Sequence, residues 1–118
     1  MKIGVQIAKE YADDADTFSK KIYDVIGSGV GIIESVPAAI SIAYYTQDPN
    51  ECCLMCANLG GDTDTIGAMA TAICGAFTGY SKINPEYTEL LRVQNPETDF
   101  DEYINILKKG RELAGCGR

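Results

Sequence analysis

Three oxygen-bearing side chains, Asp62, Asp64 and Thr65, fall within one short stretch of the run LGGDTDTIGAMATAICGAFTGY that extends from 59 to 80. Two carboxylates and a hydroxyl are hard donors, and such donors suit Mg²⁺, Ca²⁺ or Mn²⁺ better than softer metals. Gly60 and Gly61 let the chain turn sharply just before them. In extended backbone, side chains at i and i+2 leave on the same side, so Asp62 and Asp64 can converge on one cation. The same residues are also good helix caps: Asp and Thr satisfy orphan amides at a helix start, and acids there complement the helix dipole. Capping and cation binding both stand at this point.

The acids precede a helix with two apolar stripes. Ile66, Met69, Ile73, Phe77 and Tyr80 recur at helical period, and Gly67, Thr71, Gly75 and Gly79 form a second line of small residues. A helix-interior glycine costs roughly 1 kcal/mol relative to alanine, which close approach of another helix would justify. No charge occurs from Thr65 to Ser81, so the pattern predicts a central helix surrounded by others. Its Gly, Thr and Ala content is too weakly hydrophobic for a membrane span of ~20 residues. Acids on the rim of such a helix are more often functional than acids on an open surface.

The stretch GGDTDTIGAMATAICGAFTG resembles the C-terminal signature of the ADP-ribosylglycohydrolase family. Upstream, GSGVGIIESVPAAISIAYY from Gly27 to Tyr45 is similar to the family's Gly-x-Gly loop and the helix that follows it. The resemblance implies an all-α fold and divalent-metal-assisted hydrolysis of the glycosidic bond between ADP-ribose and a protein side chain. It implies Asp62, Asp64 and Thr65 as ligands of Mg²⁺ or Mn²⁺, in a dinuclear site of the family. It also implies Ser28, Gly29 and Val30 as contacts to ADP-ribose or an ADP-ribosylated protein. Glu34, in the ESVP match, reads as a structural acid before a helix.

The chain departs from that family in one respect. Members carry a second motif, a Thr-Asp-Asp trio with a nearby catalytic glutamate, well upstream of the first, and no equivalent is found here. Asp13 and Asp14 in EYADDADT lack the preceding glycines, and Asp14, Asp16 and Thr17 read as a solvated helix start. The expectation is a C-terminal portion of the family's fold that carries one side of the metal site, with the rest supplied by residues absent from it. Because the family's fold is also reused without hydrolase activity, a catalytically inactive structural or interaction domain is the alternative. An apolar helix with few partners in a short chain points to self-association or to pairing with a separately encoded N-terminal half.

With 118 residues and 46% hydrophobic content, the chain is expected to form a single helical domain over 1–118. A net charge of −7 and a pI near 4.4 exclude nucleic acid and anionic membrane as natural partners, since their phosphates would be repelled. MKIGVQIAKEY has no basic segment followed by an apolar one, so a cytoplasmic location is the default. Five cysteines include a C-x₂-C pair at Cys53 and Cys56, but Cys74 and Cys116 form no second pair and the chain has no histidine. Buried structural thiols are the expected reading.

The elements that must position these residues all read as helices. Ile3, Ile7 and Tyr11 suggest a first, and Phe18, Ile22, Val25 and Ile26 a second that stops at Gly27. Pro37 suits the first turn of a third helix that ends near Tyr45. Asp48, Pro49 and Glu51 supply an N-cap, an N1 proline and a capping-box acid for a fourth helix ending at Gly60. Asn84 and Pro85 open a further helix with Leu90, Leu91 and Val93 on its apolar side. Phe100, Tyr103, Ile104 and Leu107 mark the last, and GCGR at the end is expected to fray. GSGVGIIE lacks the third glycine of a dinucleotide fingerprint, and DTDTI lacks the position-12 glutamate of an EF-hand loop.

Overall fold

The computed structural model describes residues 2–115, so the expectation for the terminal Cys116, Gly117 and Arg118 lies outside the described residues. Seven α-helices follow one another, and no strand occurs among the described residues: α1 (Lys2–Glu10), α2 (Ala15–Lys21), α3 (Ile32–Thr46), α4 (Pro49–Leu59), α5 (Thr63–Thr78), α6 (Pro85–Gln94) and α7 (Phe100–Leu113). A π turn (Ile22–Ile26) extends α2 and a 3₁₀ turn (Tyr80–Lys82) follows α5. The span expected as one domain gathers into two compact units, Met1–Ile83 and Asn84–Arg118. No helix among the described residues is long and apolar enough to cross a membrane.

The core belongs to the first unit. Phe18, Ile22, Ile42, Ile66, Cys52, Cys56 and Cys74 are its most deeply buried side chains, and Phe18 stacks on Tyr45 with ring centroids 3.9 Å apart. Helix α3 buries mainly small residues, Ser35, Ala38, Ala39, Ser41 and Ala43 beside Ile42, which lets its neighbours approach closely. At Gly4 on α1 an added Cβ would overlap the Ser41 hydroxyl, so that crossing requires glycine. The buried hydroxyls bond back along their own helix, Ser41 Oγ donating to the Pro37 carbonyl at 2.6 Å and Ser35 Oγ to Gly31 at 3.2 Å. Among the described residues no buried side-chain polar atom lacks a partner, as interiors require.

Three local expectations need correction. Val25 is 55% exposed while Ile26 packs against the core. The reason is the π turn, in which Gly27 N–H donates to Ile22 O at 3.0 Å. Each residue then turns the chain less than in an α-helix, so the inward position passes from i+3 to i+4. Pro37 lies inside α3, because the helix already starts at Ile32, with Gly31 as cap. The proline removes only the hydrogen bond that would reach Ile33, an exposed residue.

Helix α5 is the third correction. Only Ile66, Ala70 and Cys74 are buried on it, whereas Ile73, Phe77 and Tyr80 are largely exposed. It packs on α3 and α4 by one face, and is not enclosed. Its lack of charge cannot be explained by neighbours within this unit.

Three of the described cysteines behave as small hydrophobes. Cys52, Cys56 and Cys74 are buried free thiols between α3, α4 and α5, and Cys53 is exposed. Burial pushes the Cys74 thiol up to about 11, and the Cys52 thiol is also raised, first by its bond to Cys56. Cys52 and Cys74, held neutral in this way, are poor nucleophiles and poor metal ligands, whereas the bond from Cys52 lowers the Cys56 thiol. Among the described residues no group of three His, Cys, Asp or Glu side chains is placed to hold a metal.

Helix starts follow local chemistry. The Asp48 carboxylate accepts from Asn50 N–H at 2.8 Å and Glu51 N–H at 3.0 Å, with Pro49 as the first helical residue. The amides of Glu51 and Asn50 hold the Asp48 carboxyl below its usual value. A carboxyl depressed in the folded state stabilises above its unfolded pKa and loses that contribution as pH falls through the folded value. The melting temperature of the wild type should therefore fall more steeply below about pH 4 than that of Asp48→Asn, and the two curves should differ least at the acid end. In the second unit Asn84 caps α6 and Asp99 caps α7 in the same way, by accepting from Glu86 N–H and Glu102 N–H. Arg92 joins the two helices through Asp101 at 3.1 Å and lies over the Phe100 ring. That pair is exposed and contributes little.

Candidate metal centre

The DTDT segment is held by two consecutive left-handed glycines. Helix α4 ends at Leu59, Gly60 has φ +85° and Gly61 φ +75°, and Asp62 then takes the cap position of α5. A Cβ on Gly61 would collide with the Ser28 carbonyl oxygen. That approach allows Asp62 N–H to donate to Ser28 O at 2.7 Å. A hydrogen bond between main chains thus ties the loop carrying the acids to the Gly27–Gly31 loop, and Ser28 itself is buried. The Tyr23 ring, from the π turn, covers Gly60, with its nearest atom 3.3 Å from where a Cβ would stand.

Asp62 sits where a helix cap belongs, yet its carboxylate makes no capping hydrogen bond. This separates it from Asp14, Asp48, Asn84 and Asp99, whose side chains each accept from an amide in the first turn of their helix. Asp64 projects from the first turn of α5 and is exposed. Its carboxyl is held below the usual range by the Thr65 amide at 2.9 Å and next by the adjoining Asp62 side chain. The two carboxyl groups are thus near enough to interact, with Thr65 exposed beside them.

The Gly27–Gly31 loop is built around Glu34. Glu34 Oε2 accepts from Gly29 N–H at 2.8 Å, and an added Cβ at Gly27, where φ is +90°, would meet the same carboxylate. Glu34 thus acts as an internal brace, in keeping with its reading as a structural acid. Of the three residues expected to touch substrate, Ser28 spends its carbonyl on Asp62 and Gly29 its amide on Glu34, while Val30 is 85% exposed. The structure brings Ser28 and Asp62 together and leaves Val30 on the rim. Two contributors were not anticipated, Tyr23 over Gly60 and the contact of Gly61 with Ser28. The double glycine before the acids is the signal in the sequence for the second. At the other end of the unit, Asp14 accepts from both the amide and the hydroxyl of Thr17, at 3.0 and 2.7 Å, which is a helix cap.

The donors present fit a hard divalent cation: adjacent carboxylates, one of them free of capping duty, and a neighbouring hydroxyl. The chain belongs to the ADP-ribosylglycohydrolase family, whose model matches residues 3–115. It is 47% identical over 113 residues to the uncharacterized protein YegU of Escherichia coli (strain K12), a match covering 95% of this chain and 33% of YegU. Identity to the ADP-ribosylhydrolase ARH3 of Homo sapiens is 32% over 85 residues, covering 63% of this chain and 23% of ARH3. The ADP-ribosylarginine hydrolase Tri1 of Serratia proteamaculans (strain 568) is 31% identical over 91 residues, covering 77% of this chain and 25% of Tri1. The chain thus spans a third or less of the length of these relatives. No solved structure matches it at a significant level.

Proposed function

We propose that this chain supplies one side of a divalent-cation site that holds ADP-ribose for hydrolysis of its glycosidic bond to a protein side chain. The observation that carries the reading is the Asp62 carboxylate, which stands at a helix start without capping it, two residues from the exposed Asp64. In this reading Asp62, Asp64 and Thr65 offer oxygen donors to Mg²⁺ or Mn²⁺. When bound, the ion supplies a template for ribose hydroxyls. Ser28 fixes the backbone of Asp62, Glu34 fixes the loop beside it, and Val30 lies at the edge where the nucleotide would pass. The names of ARH3 and Tri1, an ADP-ribosylhydrolase and an ADP-ribosylarginine hydrolase, support an ADP-ribosylated protein as the substrate class. The free thiols support a reducing, cytoplasmic setting.

Calorimetric titration of the chain with Mg²⁺ and ADP-ribose tests this. Asp62→Ala and Asp64→Ala should each weaken binding by roughly tenfold or more, the least expected when a metal site loses a direct ligand. Equal affinity in wild type and both variants, or no binding by the wild type, would sink the proposal. A second reading, a non-catalytic domain of the same fold, is favoured by the lack of a third acid near Asp62 and Asp64 among the described residues. Release of ADP-ribose from a modified protein by this chain with Mg²⁺ would eliminate that second reading.

A further inference from the structure

Helix α4 carries Cys52, Cys53 and Cys56, three thiols that the candidate cation site leaves unused. Cys52 and Cys56 are buried, at 0% and 1% exposure, and Cys53 is exposed. Cys53 and Cys56 stand three residues apart on one helix, which makes them neighbours. Helix geometry puts their Cα atoms about 5 Å apart, inside the range of roughly 4.4–6.8 Å that a disulfide spans. Cys56 is fixed from the other side, its Cβ lying 3.4 Å from where a Cβ on Gly67 would stand. The exposed Cys53 is the partner with room to turn. No other described pair has these properties: Cys52 and Cys74 are both buried, and the Cys74 thiol is engaged with the Ala43 carbonyl at 3.7 Å.

We propose that Cys53 and Cys56 form a redox-active dithiol, open to peroxide at Cys53, with Cys52 as a positioning residue for Cys56. The Cys53 sulfur attacks a peroxide oxygen, the O–O bond breaks, and with hydrogen peroxide a sulfenic acid and one water result. The Cys56 thiolate then attacks the Cys53 sulfur, the S–O bond breaks, and a second water leaves as the S–S bond forms. Two electrons pass from the two sulfurs to the peroxide, and the two thiol hydrogens end in the waters. Cys52 serves the second step, because its bond to the Cys56 sulfur favours the thiolate that must attack.

Differential labelling of the 118-residue chain tests the inference. After brief treatment with hydrogen peroxide, light maleimide blocks the free thiols, and reduction followed by heavy maleimide marks those released from a disulfide. The expected result is heavy label on Cys53 and Cys56 alone. Cys53→Ser, at an exposed position, should melt as wild type does and take no heavy label. In Cys52→Ala, sulfenic acid at Cys53, trapped with dimedone, should accumulate several-fold more than in wild type at neutral pH and decline as rising pH ionises Cys56. Heavy label on a different pair, no heavy label, sulfinic acid at Cys53 in its place, or chains joined through Cys53 overturns the dithiol. Wild-type levels of sulfenic acid in Cys52→Ala overturn the part given to Cys52. The reaction is read without metal or nucleotide, so its failure and failure of the cation reading are distinct results.

Discussion

Gly61→Ala should lower the melting temperature by about 10–20 °C and weaken any Mg²⁺-dependent ligand binding along with it. Two costs combine at this position. Its φ of +75° disfavours an L side chain, at about 1–2 kcal/mol. The new Cβ would also collide with the Ser28 carbonyl, a backbone atom with no rotamer to change. Relief requires the two loops to part, which breaks the 2.7 Å bond from Asp62 N–H and leaves a polar group unpaired beside buried Ser28. That adds about 1–3 kcal/mol. Two neighbouring glycines give the internal scale. Gly60→Ala meets only the edge of the Tyr23 ring, a side chain that can move, and Gly79→Ala meets nothing within 4 Å, so each pays little beyond its positive φ. Thermal melts of the three variants should rank Gly61 well below the other two. Equal melting temperatures would show that the two loops are not coupled as described.

That loop contact also marks the limit of what the sequence could disclose. Helix starts at Asp48–Pro49 and Asn84–Pro85 were legible because a cap acts within three residues, and the side chain that makes the bond is part of the pattern. The acids of the candidate site were legible for the same reason, as chemistry concentrated in one short segment. The contact between Gly61 and Ser28 was not, since main chain meets main chain across distant positions and no side-chain type announces it. The π turn is not legible in the sequence because Phe18, Ile22 and Val25 fit an ordinary helical stripe, and only the winding decides whether Val25 or Ile26 turns inward. Helix α5 shows the converse error. Its uncharged composition predicts a helix surrounded by others, but composition does not report how many faces have neighbours, and α5 packs by one face alone.

Phe18→Ala should be the most damaging core truncation in the first unit, costing about 3–5 kcal/mol. The ring is fully buried and lies parallel to Tyr45, with 7° between planes and centroids 3.9 Å apart. Tyr45 is held from the far side, its hydroxyl donating to Ala12 O at 3.2 Å, so it cannot follow the lost ring inward without giving up that bond. The cavity would remain open, and residual cavities are what raise the cost of such substitutions. A domain of this size is stable by only about 5–15 kcal/mol, so the loss would leave a large unfolded fraction at moderate denaturant. Phe77→Ala provides the control. The same deletion of a phenyl ring at a position 74% exposed should change the stability of the isolated chain by no more than about 0.5 kcal/mol. Urea unfolding of both variants measures the contrast, and a small effect at Phe18 would mean that the α2–α3 packing is not what holds the loops of the candidate site in register. Because Phe18 lies one turn before the π turn that leads into the Gly27–Gly31 loop, its loss should also lower affinity for Mg²⁺ and ADP-ribose at denaturant concentrations where Phe77→Ala still binds as wild type does.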